Sequence, residues 1–211
     1  MADYQVLMVS GDYPDRQAQA NAAGCDGYLE HHFNALAYDR PGTSDNPCFA
    51  LVAHNASDKS KAWAKDYADR VADDFGWRSN GVVQVGHRAR GDYNLRFTDM
   101  PAILVEPLFV SDVEQAAVAQ SEDGQERLAR HVVDSIKAAF PNGGKFALSI
   151  GHKGKDSSPY DTGAPVVDSK LTEADLSEQV ITRVARMLVA DTEAAESGCK
   201  CPNCGHPINL S

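Results

Sequence analysis

The sequence predicts one α/β domain, a mostly parallel twisted sheet flanked by helices. Three observations carry that reading. Short apolar runs alternate along the chain with amphipathic segments of helical period, the order expected when helices cross over between parallel strands. One run, Pro101 to Phe109 (PAILVEPLF), is apolar enough for a central strand buried on both faces. The chain of 211 residues suits a single core and leaves no room for a second full domain.

In order, Gln5 to Ser10 (QVLMVS) reads as a buried strand closed by the turn Gly11 to Asp15. Arg16 to Ala23 carries good helix formers and stops at Gly24, a natural C-terminal cap. Gly27 to Asn34 is the next strand, followed by loop chemistry from Tyr38 to Pro47, and Phe49 to Ala53 is another strand. Ser60 to Phe75 is a helix by period: Trp63, Tyr67, Val71 and Phe75 recur every fourth residue, an aromatic stripe that reads as core packing on a sheet. Gly81 to Val85 is a short strand, and Gly86 to Asp99 a long loop of the kind that often carries function. After the central run come helices over Val113 to Ala119 and Gln125 to Phe140, then a hard break at Pro141-Asn142-Gly143-Gly144. Phe146 to Ile150 is the last strand and runs into Gly151-His152 and a polar loop, Lys153 to Ser169. Thr172 caps a final helix with Asp175 three residues on, and Leu176, Val180, Val184 and Leu188 form its apolar stripe.

Composition narrows the function. Hydrophobic residues at 43% and charged residues at 24% describe a globular protein, and no run approaches the roughly 20 apolar residues of a membrane span. A formal charge of −10 disfavours nucleic acid, and the one basic cluster is His87-Arg88-Ala89-Arg90. Tyr4 to Ser10 has neither a basic region before it nor a small-residue cleavage pattern after it, so no signal peptide is expected. Cys25 and Cys48 are isolated and the other cysteines crowd the C-terminus, which is no disulfide framework.

Ligands of open α/β sheets sit outside the carboxyl ends of the strands. Three strands deliver a polar residue there: His32, Glu106 and His152. Glu173, at the start of the last helix, can join them. Strict alternation sends Glu30 and His32 to one face of their strand and His31 to the other, so one histidine of the pair at most serves a single site. A His-His pair at a strand end is also compatible with a purely structural role. Two histidines, one carboxylate ligand and a further carboxylate make a catalytic zinc set, with a fourth position open for water.

The segment Arg16 to Ala35 (RQAQANAAGCDGYLEHHFNA) resembles the "R, A-N, strand, S-x-H-x-N-A" stretch of zinc-dependent N-acetylmuramoyl-L-alanine amidases of the type 3 family. Met100 to Asp112 (MPAILVEPLFVSD) is similar to that family's "P-A-V-L-V-E-x-x-F-x-S-N" signature. Phe146 to Ala164 resembles its G-H strand with the polar stretch and G-A, and Thr172-Glu173-Ala174-Asp175-Leu176 its glutamate helix. In the family the G-H strand and glutamate helix come first, whereas here they come last. The resemblance therefore implies a circularly permuted domain over 1–190, joined near 141–145, with 191–211 a polar linker and Cys-rich tail.

Residue by residue, the resemblance makes His32, His152 and Glu173 ligands of Zn2+ and Glu106 the catalytic base and acid. It implies a hydrolase that cuts the amide between N-acetylmuramic acid and L-alanine of bacterial peptidoglycan, acting on the cell wall as a phage lysis enzyme would. Two other readings stand beside it: a non-catalytic particle protein on the same fold, and a zinc peptidase acting on stem peptides. Glu30 in place of a small residue, Asp112 in place of asparagine, and a longer loop after His152 depart from the pattern and bear on substrate preference more than on metal binding. Glu178 is a spare carboxylate more than a turn into its helix, where a solvated face is expected. His87, Arg90 and Arg96 sit in the long loop, where they could meet substrate, although a solvated side chain is the expected state of either arginine. The tail Cys199, Cys201, Cys204 and His206 resembles one knuckle of a zinc ribbon, half of the usual ligand set, and equally fits a thiol-rich tail or a site of self-association.

Overall fold

A computed structural model describes residues 2–36 and 46–196, with backbone alone over 191–196. The elements run β1 (Asp3–Val9), α1 (Tyr13–Ala22), β2 (Gly27–His31), β3 (Cys48–Val52), α2 (Asp58–Phe75) and β4 (Ser79–Gln84). They continue through a 3-10 turn (Asp92–Asn94), β5 (Ala102–Glu106), α3 (Val113–Gln120), α4 (Glu122–Ala139), β6 (Gly143–Ile150) and α5 (Glu173–Glu196). The six strands form one sheet in the order β1-β6-β2-β5-β3-β4. β1, β6, β2 and β5 are mutually parallel; β3 meets β5 antiparallel and carries β4 parallel at the edge. The mostly parallel sheet expected from the sequence is present, with the antiparallel step confined to one side, a common form of mixed sheet.

Strand alternation divides the core in two. Leu29, Ile103, Val105 and Leu148 face the layer of α2, α4 and α5, while Tyr28, Leu104 and Ala147 pack on the other side with Ala20 of α1 and Leu95 of the long loop. The aromatic stripe of α2 does pack on the sheet: Trp63, Tyr67 and Val71 are buried, and the Trp63 Nε1–H donates to Ser135 Oγ of α4 at 3.1 Å. Leu176, Val180, Val184 and Leu188 are fully buried, so α5 is pinned against the sheet along the length that starts at the site. Its start is built by a reciprocal cap. The Thr172 N–H and Oγ1–H donate to Asp175 Oδ2 at 2.9 and 2.8 Å.

Several boundaries differ from the sequence reading, α1 for one beginning at Tyr13 inside the expected turn, and two of the shifts have evident local reasons. β5 ends at Glu106 because Pro107 has no N–H to continue the ladder. β6 starts at Gly143, inside the expected break, and pairs from there with Asp3 of β1. Gly143 has φ +83°, and a Cβ there would lie 2.1 Å from the Asp3 carbonyl oxygen, so only glycine lets the strands meet this early.

The helix α5 runs on to Glu196, so the first residues of the expected polar linker are helical. The cysteine tail, 197–211, lies outside the described residues. Among the described residues no helix is long and apolar enough to cross a membrane.

Candidate metal centre

Three parallel neighbours, β6, β2 and β5, end side by side and place His152, His32 and Glu106 at one sheet edge. Glu173 arrives from the first turn of α5. Ligand atoms of His32, His152 and Glu173 all lie within 4.8 Å of one another. His32 Nδ1 is 2.9 Å from Glu173 Oε1, and His152 Nε2 is 3.3 Å from the same oxygen. Ligand atoms on a tetrahedral ion with bonds of about 2.0–2.1 Å are separated by roughly 3.3 Å. The donor set and its spacing thus fit a divalent ion of zinc type.

Backbone packing holds the three side chains together. A Cβ at Gly151 would sit 2.5 Å from His32 Cε1, and one at Gly163 would sit 2.5 Å from Glu173 Oε2. His152 itself adopts φ +62°, a left-handed conformation rare for a residue with a side chain. The buried Arg16 bridges it: its NH1 donates to the Ile150 carbonyl at 2.8 Å, and NH2 donates to the Lys153 carbonyl at 2.5 Å. Gly151→Ala should push the His32 ring aside and weaken binding of a divalent ion roughly 10–100-fold, the cost typical of a misoriented ligand. Competition with a chromophoric chelator checks this.

Each histidine also has a second carboxylate behind it. His32 Nε2 lies 2.8 Å from Glu30 Oε1, and His152 Nδ1 lies 2.8 Å from Asp161 Oδ1. Burial alone would lower the pKa of His32, but hydrogen bonds and charges from Glu173 and Glu30 raise it to about 9. The metal-free ring therefore holds an extra proton between two carboxylates, and a cation binding at Nδ1 takes that proton's place. Burial likewise opposes ionisation of Glu173, and both histidines overcome it, holding the carboxyl well below the usual carboxylate range.

Glu106 is buried at the rim of the group. The Asn34 Nδ2–H donates to its Oε2 at 2.8 Å, and among the described residues Oε1 has no hydrogen-bond partner. Burial outweighs the nearby positive charges and lifts its pKa to about 6, the range of a general base at neutral pH. It lines a cleft of about 430 Å³ with His32, His152, Asn34, Tyr13, Tyr93, Arg88 and Arg90.

The other sequence candidates sort cleanly. His31 is fully buried on the opposite face, its Nδ1 3.2 Å from Ser177 Oγ of α5 and its pKa lowered to about 3, by burial first and then by the His32 charge. Glu178 pairs with Lys153 at the surface. Arg96 is drawn out of the cleft: it pairs with Asp92 at 3.4 Å and stacks on Tyr93 at 3.9 Å. His87 packs its ring on His54, and neither lines the cleft, whereas Arg90 does. Asp112 caps α3 through the Glu114 and Gln115 N–H groups. Glu30 is fully buried beneath His32 and does not line the cleft, so its departure from the family pattern bears on the metal centre rather than on substrate contacts. Sequence reasoning missed Asp161, since a single acid in a polar loop carries no signal of its own. It also missed the clamp made by Arg16, although the R of the family-like segment marked the position.

The family model described as N-acetylmuramoyl-L-alanine amidase matches residues 2–138. The chain belongs to this amidase family. An endolysin of Bacillus phage SPP1 is 30% identical over 108 residues, 51% of this chain, and the chain spans only 38% of that protein. Among solved structures, an N-acetylmuramoyl-L-alanine amidase from Clostridium difficile 630 aligns with TM-score 0.53 and 24% identity, covering 62% of this chain and 66% of that one. The catalytic domain of CwlV, an amidase from Bacillus (Paenibacillus) polymyxa var. colistinus, aligns with TM-score 0.50 and 22% identity over the same shares. Both likenesses establish the amidase fold. The family match contains His32 and Glu106, while His152, just past the end of β6, and Glu173, at the start of α5, lie beyond it.

Proposed function

We propose that this chain is a zinc-dependent N-acetylmuramoyl-L-alanine amidase that frees stem peptides from the glycan of bacterial peptidoglycan. The observation that carries the proposal is the convergence of His32, His152 and Glu173 beside a cleft that also holds a buried, ionisable Glu106. His32 Nδ1, His152 Nε2 and Glu173 Oε1 would hold the ion. Bound there, zinc supplies a Lewis acid that polarises the scissile carbonyl and acidifies water. Glu106 takes a proton from the attacking water and returns it to the departing amide nitrogen. Asn34 holds one Glu106 oxygen, so the other is the one that carries the proton. Arg88 and Arg90 at the cleft wall suit the carboxylates of a stem peptide.

The order of elements supports a permuted domain. The family match stops at residue 138, one residue before the end of α4, and β6 follows through Pro141 yet lies between β1 and β2, parallel to both. In this reading residues 1–190 are the catalytic unit and 191–211 an appendage. The endolysin relative makes phage lysis the natural setting, with the cell wall as the site of action.

Mass spectrometry of digested peptidoglycan tests the activity. Stem peptides with a free L-alanine amine are the expected product. Cuts within the stem peptide would instead indicate a peptidase, and intact material in the presence of zinc would indicate a scaffold.

A further inference from the structure

We infer that Glu30 is a positioning residue of the metal centre, holding His32 in the tautomer whose Nδ1 lone pair points at the ion; this rests on the metal-centre reading above. Glu30 sits two residues before His32 on the same face of the strand, is fully buried, and lines no part of the cleft. Its carboxylate is built into place from four segments. Oε1 accepts from Asn94 Nδ2–H at 2.7 Å, and Oε2 accepts from the Tyr28 hydroxyl at 2.8 Å and from the Ser149 hydroxyl at 3.3 Å. Arg16, itself fully buried, brings its NH1 to 3.8 Å from Oε1.

Oε1 also faces His32 Nε2 at 2.8 Å. An ionised carboxylate can only accept, so Nε2 must carry the hydrogen, and the neutral ring then has its lone pair on Nδ1. Nδ1 is the atom that faces Glu173. Asp161 does the same for His152 with the nitrogens exchanged: Nδ1 is turned to Asp161, leaving Nε2 for the ion. The two histidines thus present different ring nitrogens, and a carboxylate fixes each choice. Outer partners of this kind orient a ligand and raise its basicity.

Asn94 extends the arrangement outward. It belongs to the 3-10 turn of the long loop, lines the cleft, and ends on the same Glu30 oxygen that faces His32. Glu30 therefore ties the cleft wall to the metal ligand.

The test uses the full chain loaded with zinc. Nitrogen-15 correlation spectra of the histidine rings should show His32 coordinating through Nδ1 with hydrogen on Nε2; coordination through Nε2 would overturn the inference. Glu30→Gln should weaken zinc roughly 10–100-fold in chelator competition and alter the visible spectrum of the cobalt form, whereas Tyr67→Phe, which trims a buried hydroxyl of α2 that touches neither Glu30 nor the ligands, should change affinity by no more than about twofold. A folded Glu30→Gln protein with unchanged affinity, or a Tyr67→Phe protein weakened as much, would reduce Glu30 to a structural group. Should Glu30→Gln not fold, the ring spectra of the wild-type protein decide. Zinc bound with the expected tautomer but no cleavage of peptidoglycan would refute the amidase reading and leave the role of Glu30 standing.

Discussion

Glu106→Gln is expected to lower the turnover of peptidoglycan by about 10²–10⁴-fold, the usual contribution of a positioned general acid–base, while leaving bound zinc in place. The amide keeps the shape and can keep one contact to Asn34, but it cannot accept a proton. Glu106 stands outside the group of metal-ligating atoms, so metal content should not follow activity down. Its titration gives a second signature. Burial raises the pKa to about 6, so the competent, ionised form is present above that value and is lost as pH falls through it. A nearby dication favours the ionised form and moves the midpoint lower. The acid limb of kcat/KM should therefore fall at or below about 6, and metal content measured across that limb shows whether loss of zinc contributes.

The adjacent histidines give the second large effect because a single step along the strand puts them on opposite faces. His32→Ala removes a ligand atom and is expected to weaken zinc by more than the roughly 10–100-fold typical of an outer partner, with activity lost in parallel. His31→Leu touches the other side of the sheet, where among the described residues Nε2 of His31 has no hydrogen-bond partner and its ring packs edge-on to Phe33 at 4.9 Å. That variant should bind zinc as the wild type does, because neither ring nitrogen of His31 faces the ion; losing the Nδ1 contact to Ser177 Oγ costs stability and not metal. Zinc analysis of the two purified variants, with circular dichroism as the control for folding, separates ligand from neighbour.

The distinction between these residues was legible in the sequence, since alternation along a strand is a local property and fixes faces without any tertiary knowledge. So were the Thr172–Asp175 cap and the placement of Glu106 at the end of an apolar run. What eluded the sequence is what depends on approach through space. Asp161 meets His152 by the path of a polar loop, and Arg96 is taken up by Asp92 and the ring of Tyr93. Glu30 stood out as an unusual residue, but whether it faces substrate or supports His32 is decided by Asn94, Ser149 and Arg16 closing around it from three other segments. The antiparallel step at β3 was hidden for a related reason: an apolar run shows that a strand is buried and says nothing about its direction.

On the proposed mechanism, cleavage requires one zinc held by His32, His152 and Glu173. Stepwise return of zinc to chelator-stripped full-length protein, with release of free L-alanine amines followed on peptidoglycan, tests it most directly. Activity should rise with zinc and be absent in His32→Ala at every zinc level, while that variant binds one equivalent fewer than the wild type. Full cleavage by the stripped protein, or by His32→Ala, would contradict the account.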